Sequence, residues 1–254
     1  ICTDFRYLEQ ASQQAPGWRV DRIGGKPDWL ANLVKELEIK VLGFEADDMT
    51  VETLDRFRKN LKQNDANPTL KPTSSICVEL RAYKDDVELP LLQRAIDIGD
   101  QAFEETVAQL EVGMSEKEAA WIFEKAVRER GAESISFPTI VAIGPNAARP
   151  HHATGDTKIV EGQTIVFDCG AKYKGYCSDL TRTVVLGKAN DKMKRIYDIV
   201  LTAQLAAIDM VKAGMTGDEC DAIARKIIAE AGYENNFGHS LGHGLGLEVH
   251  ENPG

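Results

Sequence analysis

Apolar and polar positions along the chain fall into two patterns. In residues 1–82, short apolar runs alternate with helical periodicities. Trp29, Leu30, Leu33, Val34 and Leu37 recur at helical spacing after Pro27, Val41-Leu42-Gly43-Phe44 reads as a strand, and Val51, Leu54, Phe57 and Leu61 return to a helix. Asn67-Pro68 and Lys71-Pro72 punctuate the chain before the apolar stretch Ile76-Cys77-Val78. Alternation of this kind predicts a small α/β domain. The charged run Tyr83-Lys84-Asp85-Asp86 then leads into a long helix with Leu92, Ile96, Gly99, Phe103, Val107 and Leu110 on one face. This places the domain boundary near residue 83, with one domain over 1–82 and a second over 83–254.

The second domain repeats itself. Gly113-Met114-Ser115 with Glu118 and Gly131 returns as Gly214-Met215-Thr216 with Glu219 and Gly232, at one constant offset. Each copy carries the signature of a capping box, a Ser or Thr with a Glu three residues on, and each ends in a Gly suited to a left-handed C-cap. Ile122/Ile223, Lys125/Lys226, Glu129/Glu230 and Glu133/Glu234 keep the same register. Two related halves, each a helix pair feeding strands, would leave a cleft between them.

Two places in this domain carry candidate chemistry. Thr164–Gly170 has strand composition and contains Asp168. After a Gly-containing turn, Cys177–Val185 forms a second β-like run that contains Asp179. Antiparallel pairing would set the two carboxylates side by side on one face, an arrangement that repels unless a cation lies between them. Oxygen ligands of this kind suit hard to borderline divalent metals. Further on, His239, His243 and His250 stand among the glycines of Gly238–Glu251. Glycine permits close backbone approach, and imidazole serves as ligand or proton carrier. His151 follows Pro150 in a turn-rich segment; its neighbour His152 reads as a surface histidine.

Composition narrows the class. A net charge of -10, with no long basic run, argues against nucleic-acid binding. No apolar run is long enough to span a membrane. The 5 cysteines are scattered and lack a CxxC pair, which fits reduced cytosolic thiols better than disulfides or a zinc-thiolate site. All 5 histidines lie after residue 150, so the chemistry is expected there.

Three stretches, GPNAARPHHATGD, IVFDCGAKYKGYCSDLTRT and GHSLGHGLGLEVHENP, resemble the pita-bread metallopeptidases, in particular the X-Pro aminopeptidase and prolidase (X-Pro dipeptidase) branch. The opening CTDFRYLEQA and the junction VELRAYKD resemble the small N-terminal domain of that branch and of creatinase. The resemblance implies an α+β pita-bread fold behind a partial creatinase-like α/β domain. It implies two divalent metals (manganese, cobalt, zinc or iron), with Asp168, Asp179 and His243 as ligands. A hydroxide shared by the metals would attack the X-Pro carbonyl. His151 would contact substrate near the scissile bond, His239 would hold the proline side, and His250 would donate to the developing oxyanion. Thr181 and Arg182 would support the bridging Asp179. Proline-containing peptides would be the substrates, of a cytoplasmic homodimer.

The family completes its site with two glutamates well downstream of the last motif. Glu248 and Glu251 are too near His243 for that part, so the expectation is a chain truncated at both ends and inactive by itself. A creatinase-like amidinohydrolase and a non-catalytic binding relative remain the alternatives. Retention of both aspartates and the GHGLG histidine weighs against each.

Overall fold

Leu30 and Val34 lie one helical turn apart and, with Ala31 between them on the same face, bury against Leu61 and Ala66, which fixes the first of two units in a computed structural model describing residues 1–253. The units meet in sequence at Ile76/Cys77, somewhat before the expected residue 83. In the first, strands β1 (Cys2–Thr3) and β2 (Asp21–Arg22) pair in parallel around helix α1 (Leu8–Gln14). Helix α2 (Asp28–Glu36) precedes strand β3 (Val41–Glu45), helix α3 (Val51–Gln63) and strand β4 (Thr69–Thr73). β3 and β4 are parallel neighbours, joined through α3. Trp29 of α2 meets Phe57 of α3 edge-on at 6.0 Å between ring centroids. The break expected at Lys71-Pro72 is instead part of β4. Among the described residues only β3 pairs with this strand, and Pro is tolerated on an edge because no ladder donor is needed there.

The second unit opens with the short helix α4 (Val78–Ala82), so Cys77-Val78 begins a helix. Helices α5 (Glu88–Ala108) and α6 (Glu116–Glu129) follow. Strands β5 (Ser134–Ile135), β6 (Ile140–Ile143), β7 (Thr164–Cys169), β8 (Ala171–Tyr173), β9 (Tyr176–Cys177) and β10 (Leu180–Val185) come next, and then helices α7 (Asp191–Met210) and α8 (Gly217–Glu230). The order β10-β7-β6 makes one antiparallel sheet and β5-β8-β9 a second. Ile98 and Ala102 of α5, with Ala119, Phe123 and Val127 of α6, cover the face of the first sheet that carries Val141, Ile143, Ile165 and Phe167. Phe103 and Phe167 meet edge-on at 5.7 Å, worth about 0.5–1.5 kcal/mol beyond their burial.

The repeat is structural as well as textual. Ser115 and Thr216 both form complete capping boxes, with Glu118 and Glu219 bonding back. Gly131 and Gly232 both close their helices at positive φ, +89° and +85°, where a side chain would be strained. α5 packs on α6, and α7 on α8 through Ala203, Ala224 and Ile228. Among the described residues no helix is long and apolar enough to cross a membrane.

Candidate metal centre

The two-residue period of a strand decides which way Asp168 points. Ile165, Phe167 and Cys169 turn into the helix-covered core, so Thr164, Val166 and Asp168 occupy the opposite face of β7. Across the ladder Thr181 is the register partner of Asp168, and its hydroxyl donates to Asp168 Oδ1 at 3.0 Å. Asp179 lies just before β10, two positions ahead of Thr181, near enough to Asp168 for its charge to act on that carboxyl.

The expected hairpin is interrupted. β7 and β10 pair antiparallel, but between them β8 and β9 bend away to join β5. The bend centres on Gly170, where a β-carbon would run into the Ser178 carbonyl. Ser136 ties both sides of this crossing. Its amide donates to Gly170 O at 3.0 Å and its hydroxyl to Ser178 O at 2.6 Å. A residue larger than glycine would push apart the two segments carrying the aspartates.

Asp168 responds electrostatically. Partial burial pushes its carboxyl above the ordinary aspartate range, and the Asp179 charge adds to that; the Thr181 hydroxyl and the charge of His151 pull the other way. His151 is exposed on the turn after Pro150, and this longer-range action on Asp168 is its link to the pair.

His243 approaches from the glycine-rich segment. Its Nε2 lies 3.5 Å from Asp179 Oδ2, and its Nδ1 lies 3.0 Å from Gly244 O. A carbonyl only accepts, so Nδ1 carries the hydrogen, and in the neutral ring Nε2 turns a lone pair toward a carboxylate oxygen. Such an approach is satisfied by a cation between the two atoms, either the proton of an imidazolium or a divalent metal. Two carboxylates and one imidazole are a donor set that borderline divalent metals accept. The contacts are pairwise, Asp168 with Asp179 and Asp179 with His243. Among the described residues no group of three His, Cys, Asp or Glu side chains closes into a cage, so the threefold convergence expected from the sequence is only partly formed.

His250 stacks obliquely on His243, with centroids 4.2 Å apart. His239 keeps to local partners. Its ring meets Phe237 at 4.9 Å and its Nδ1 donates to Ser240 O at 2.7 Å, while Arg225 of α8 holds the carbonyls of Phe237 and His239. The segment bearing His243 and His250 is docked by Glu251. This nearly buried carboxylate takes hydrogen bonds from Arg81, from Lys84 at 3.1 Å and from the Glu248 amide at 3.1 Å. The Gly246 carbonyl also accepts from Cys177 of β9 at 2.7 Å.

Two expectations change. Thr181 supports Asp168, not Asp179. Arg182 has the opposite parity, so its side chain leaves the carboxylate face, and its guanidinium donates to the Thr181 carbonyl at 2.9 Å. His152 is not a surface residue. Only 9% of its side chain is exposed, and its Nε2 lies 2.8 Å from Glu116, which is fully buried. Sequence reading passed over Glu116, Gly170 and the Arg81–Lys84–Glu251 lock. Only the glycine had a visible signal, its place between the two aspartate segments.

The profile of metallopeptidase family M24 matches residues 90–254, and the creatinase/prolidase N-terminal domain matches residues 1–83. An Xaa-Pro dipeptidase of Pyrococcus horikoshii is 42% identical over 197 residues, covering 78% of this chain and 56% of the relative. The solved Xaa-Pro dipeptidase from Bacillus anthracis superposes with a TM-score of 0.95 at 44% identity, over 100% of this chain and 70% of that one. An X-Pro aminopeptidase from Thermotoga maritima gives a TM-score of 0.88 at 39% identity, over 99% of this chain and 71% of that one. The chain thus spans little more than half of the archaeal dipeptidase and about seven-tenths of the two solved enzymes.

Proposed function

The chain belongs to metallopeptidase family M24, and from that premise we propose that the protein hydrolyses the peptide bond preceding proline, on dipeptides or on the N-terminus of longer peptides. The observation that carries the reading is a chain of pairwise approaches: Asp179 acts on the Asp168 carboxyl, and His243 Nε2 lies 3.5 Å from Asp179 Oδ2. Relatives with names of this activity support it.

Asp168, Asp179 and His243 would hold the divalent metals, manganese, cobalt, zinc or iron. When bound, such ions acidify water toward neutral pH and polarise a carbonyl. The chain's own side chains do the rest. Thr181 fixes the rotamer of Asp168 by donating to Oδ1. Gly244 O fixes the His243 tautomer that leaves Nε2 free. His250, stacked on His243, donates to the carbonyl oxygen as negative charge develops there. His151 contacts the substrate beside the scissile bond, and His239 lines the proline side. A metal-free, creatinase-like hydrolysis would not need the Asp168–Asp179 pair.

The test is a hydrolysis assay on the metal-loaded full-length protein with Ala-Pro, Ala-Pro-Ala and Ala-Ala. Cleavage confined to bonds before proline is the expected result, and the ratio of the first two rates assigns dipeptidase or aminopeptidase. Equal cleavage of Ala-Ala, or cleavage undiminished by chelator, would sink the reading.

A further inference from the structure

Glu116 is an acid with no exposed surface at the first position of α6. An isolated carboxylate there would be strongly disfavoured, so its partners matter. Oε1 accepts from the Ile143 amide at 3.0 Å and from Asn146 Nδ2 at 2.9 Å. Oε2 accepts from His152 Nε2 at 2.8 Å and from the Gly155 amide at 2.8 Å. All four acceptor positions of the carboxylate are filled. An ionised carboxylate only accepts, so Nε2 of His152 carries the hydrogen.

These four donors come from the end of β6 and from both ends of the turn that follows it. Among the described residues β6 pairs only with β7, so its outer edge needs other partners. Side chains supply them. Ile143 N–H is taken by Glu116, Val141 N–H by the Thr154 hydroxyl at 2.9 Å, and Thr139 O receives that hydroxyl at 2.8 Å. The segment from 144 to 155 is thereby folded back along β6, whose Ile140 stands in register with Asp168. His151 is the exposed residue beside the anchored His152.

We propose that Glu116 and His152 are positioning residues. The buried carboxylate clamps both ends of the 144–155 segment, and His152, bonded to it, sets where His151 stands relative to Asp168. This rests on the reading of His151 as a substrate-contacting group. Neither Glu116 nor His152 touches substrate or metal. Their effect is on the placement of a neighbour, so it falls on turnover more than on binding.

The experiment uses the metal-loaded full-length protein and the variants Glu116→Gln, His152→Ala and His152→Gln. Glu116→Gln keeps one acceptor oxygen but turns an amide toward two donors. His152→Gln can still donate to Glu116, whereas His152→Ala cannot. The readouts are kcat and KM on Ala-Pro, metal per chain, amide exchange over 143–155 and the His151 imidazole resonance. Glu116→Gln and His152→Ala should lower kcat about 10- to 100-fold, the scale of an ångström-sized misplacement, with KM and metal content nearly unchanged. Exchange at Ile143 and Gly155 should quicken, the His151 resonance should move, and His152→Gln should recover most of the turnover. A lower melting temperature with kcat and the His151 resonance unaltered would reduce the cluster to a structural role and overturn the proposal. If the unaltered protein cleaves no X-Pro peptide, the functional reading falls on its own. The His151 resonance and amide exchange then decide the positioning role, which stands if His152→Ala moves both and fails if it moves neither.

Discussion

Thr181 stands directly across the β7–β10 ladder from Asp168 and donates its hydroxyl to Oδ1 at 3.0 Å. The bond orients a carboxylate that burial and the nearby Asp179 both push toward protonation. Thr181→Val keeps the shape and removes the donor. It should weaken metal affinity roughly 10–100-fold, the usual effect of losing a ligand's supporting hydrogen bond. Metal titration by calorimetry checks this, and unchanged affinity would mean that Thr181 serves the strand alone.

Gly170→Ala should be damaging despite its small size. The added methyl meets a backbone carbonyl, which cannot swing aside as a side chain would. Overpacking of this kind costs about 1–3 kcal/mol. The displacement also separates the Asp168 and Asp179 segments, so metal binding should fall further than stability does. Denaturant unfolding with and without metal measures both. Equal losses in the two conditions would contradict the link.

His250→Ala should cut turnover roughly 10²-fold, the scale for one oxyanion donor, and leave metal per chain unchanged. Loss of metal in parallel would show that His250, stacked on His243, is a ligand or orients one.

Glu251 gives a prediction in pH. Burial alone would lift its carboxyl, but hydrogen bonds from Arg81, the Glu248 amide and Lys84 outweigh that and hold it below the ordinary glutamate range. A folded-state pKa below the unfolded one adds stability that is fully present above the unfolded value, about 4.3. That stability is lost as pH falls through the depressed folded value. Glu251→Gln should therefore flatten the acid limb of the stability curve and loosen the segment bearing His243 and His250. At neutral pH the loss should be at most about 3 kcal/mol, because Arg81 keeps 31% of its side chain in water. Unfolding curves between pH 7 and pH 3 for both proteins test this. Parallel acid limbs would refute it.

What the sequence by itself determined were features written in local order. The capping boxes at Ser115 and Thr216 and the glycine caps at Gly131 and Gly232 depend on residues a turn apart, so their spacing was sufficient. The alternation of Ile165, Phe167 and Cys169 turned Asp168 to one face for the same reason, and the three motif stretches carried the family. Tertiary structure decided what depends on register and burial. Thr181 came to serve Asp168 because the β10–β7 register sets it directly opposite, a pairing absent from its own neighbourhood in sequence. His152 and Glu116, far apart in the chain, became partners only when the turn after β6 folded back onto the start of α6. Arg81 and Lys84 likewise met Glu251 across most of the second unit. A buried charge is tolerable only where its donors converge, and convergence of distant segments is a property of the fold.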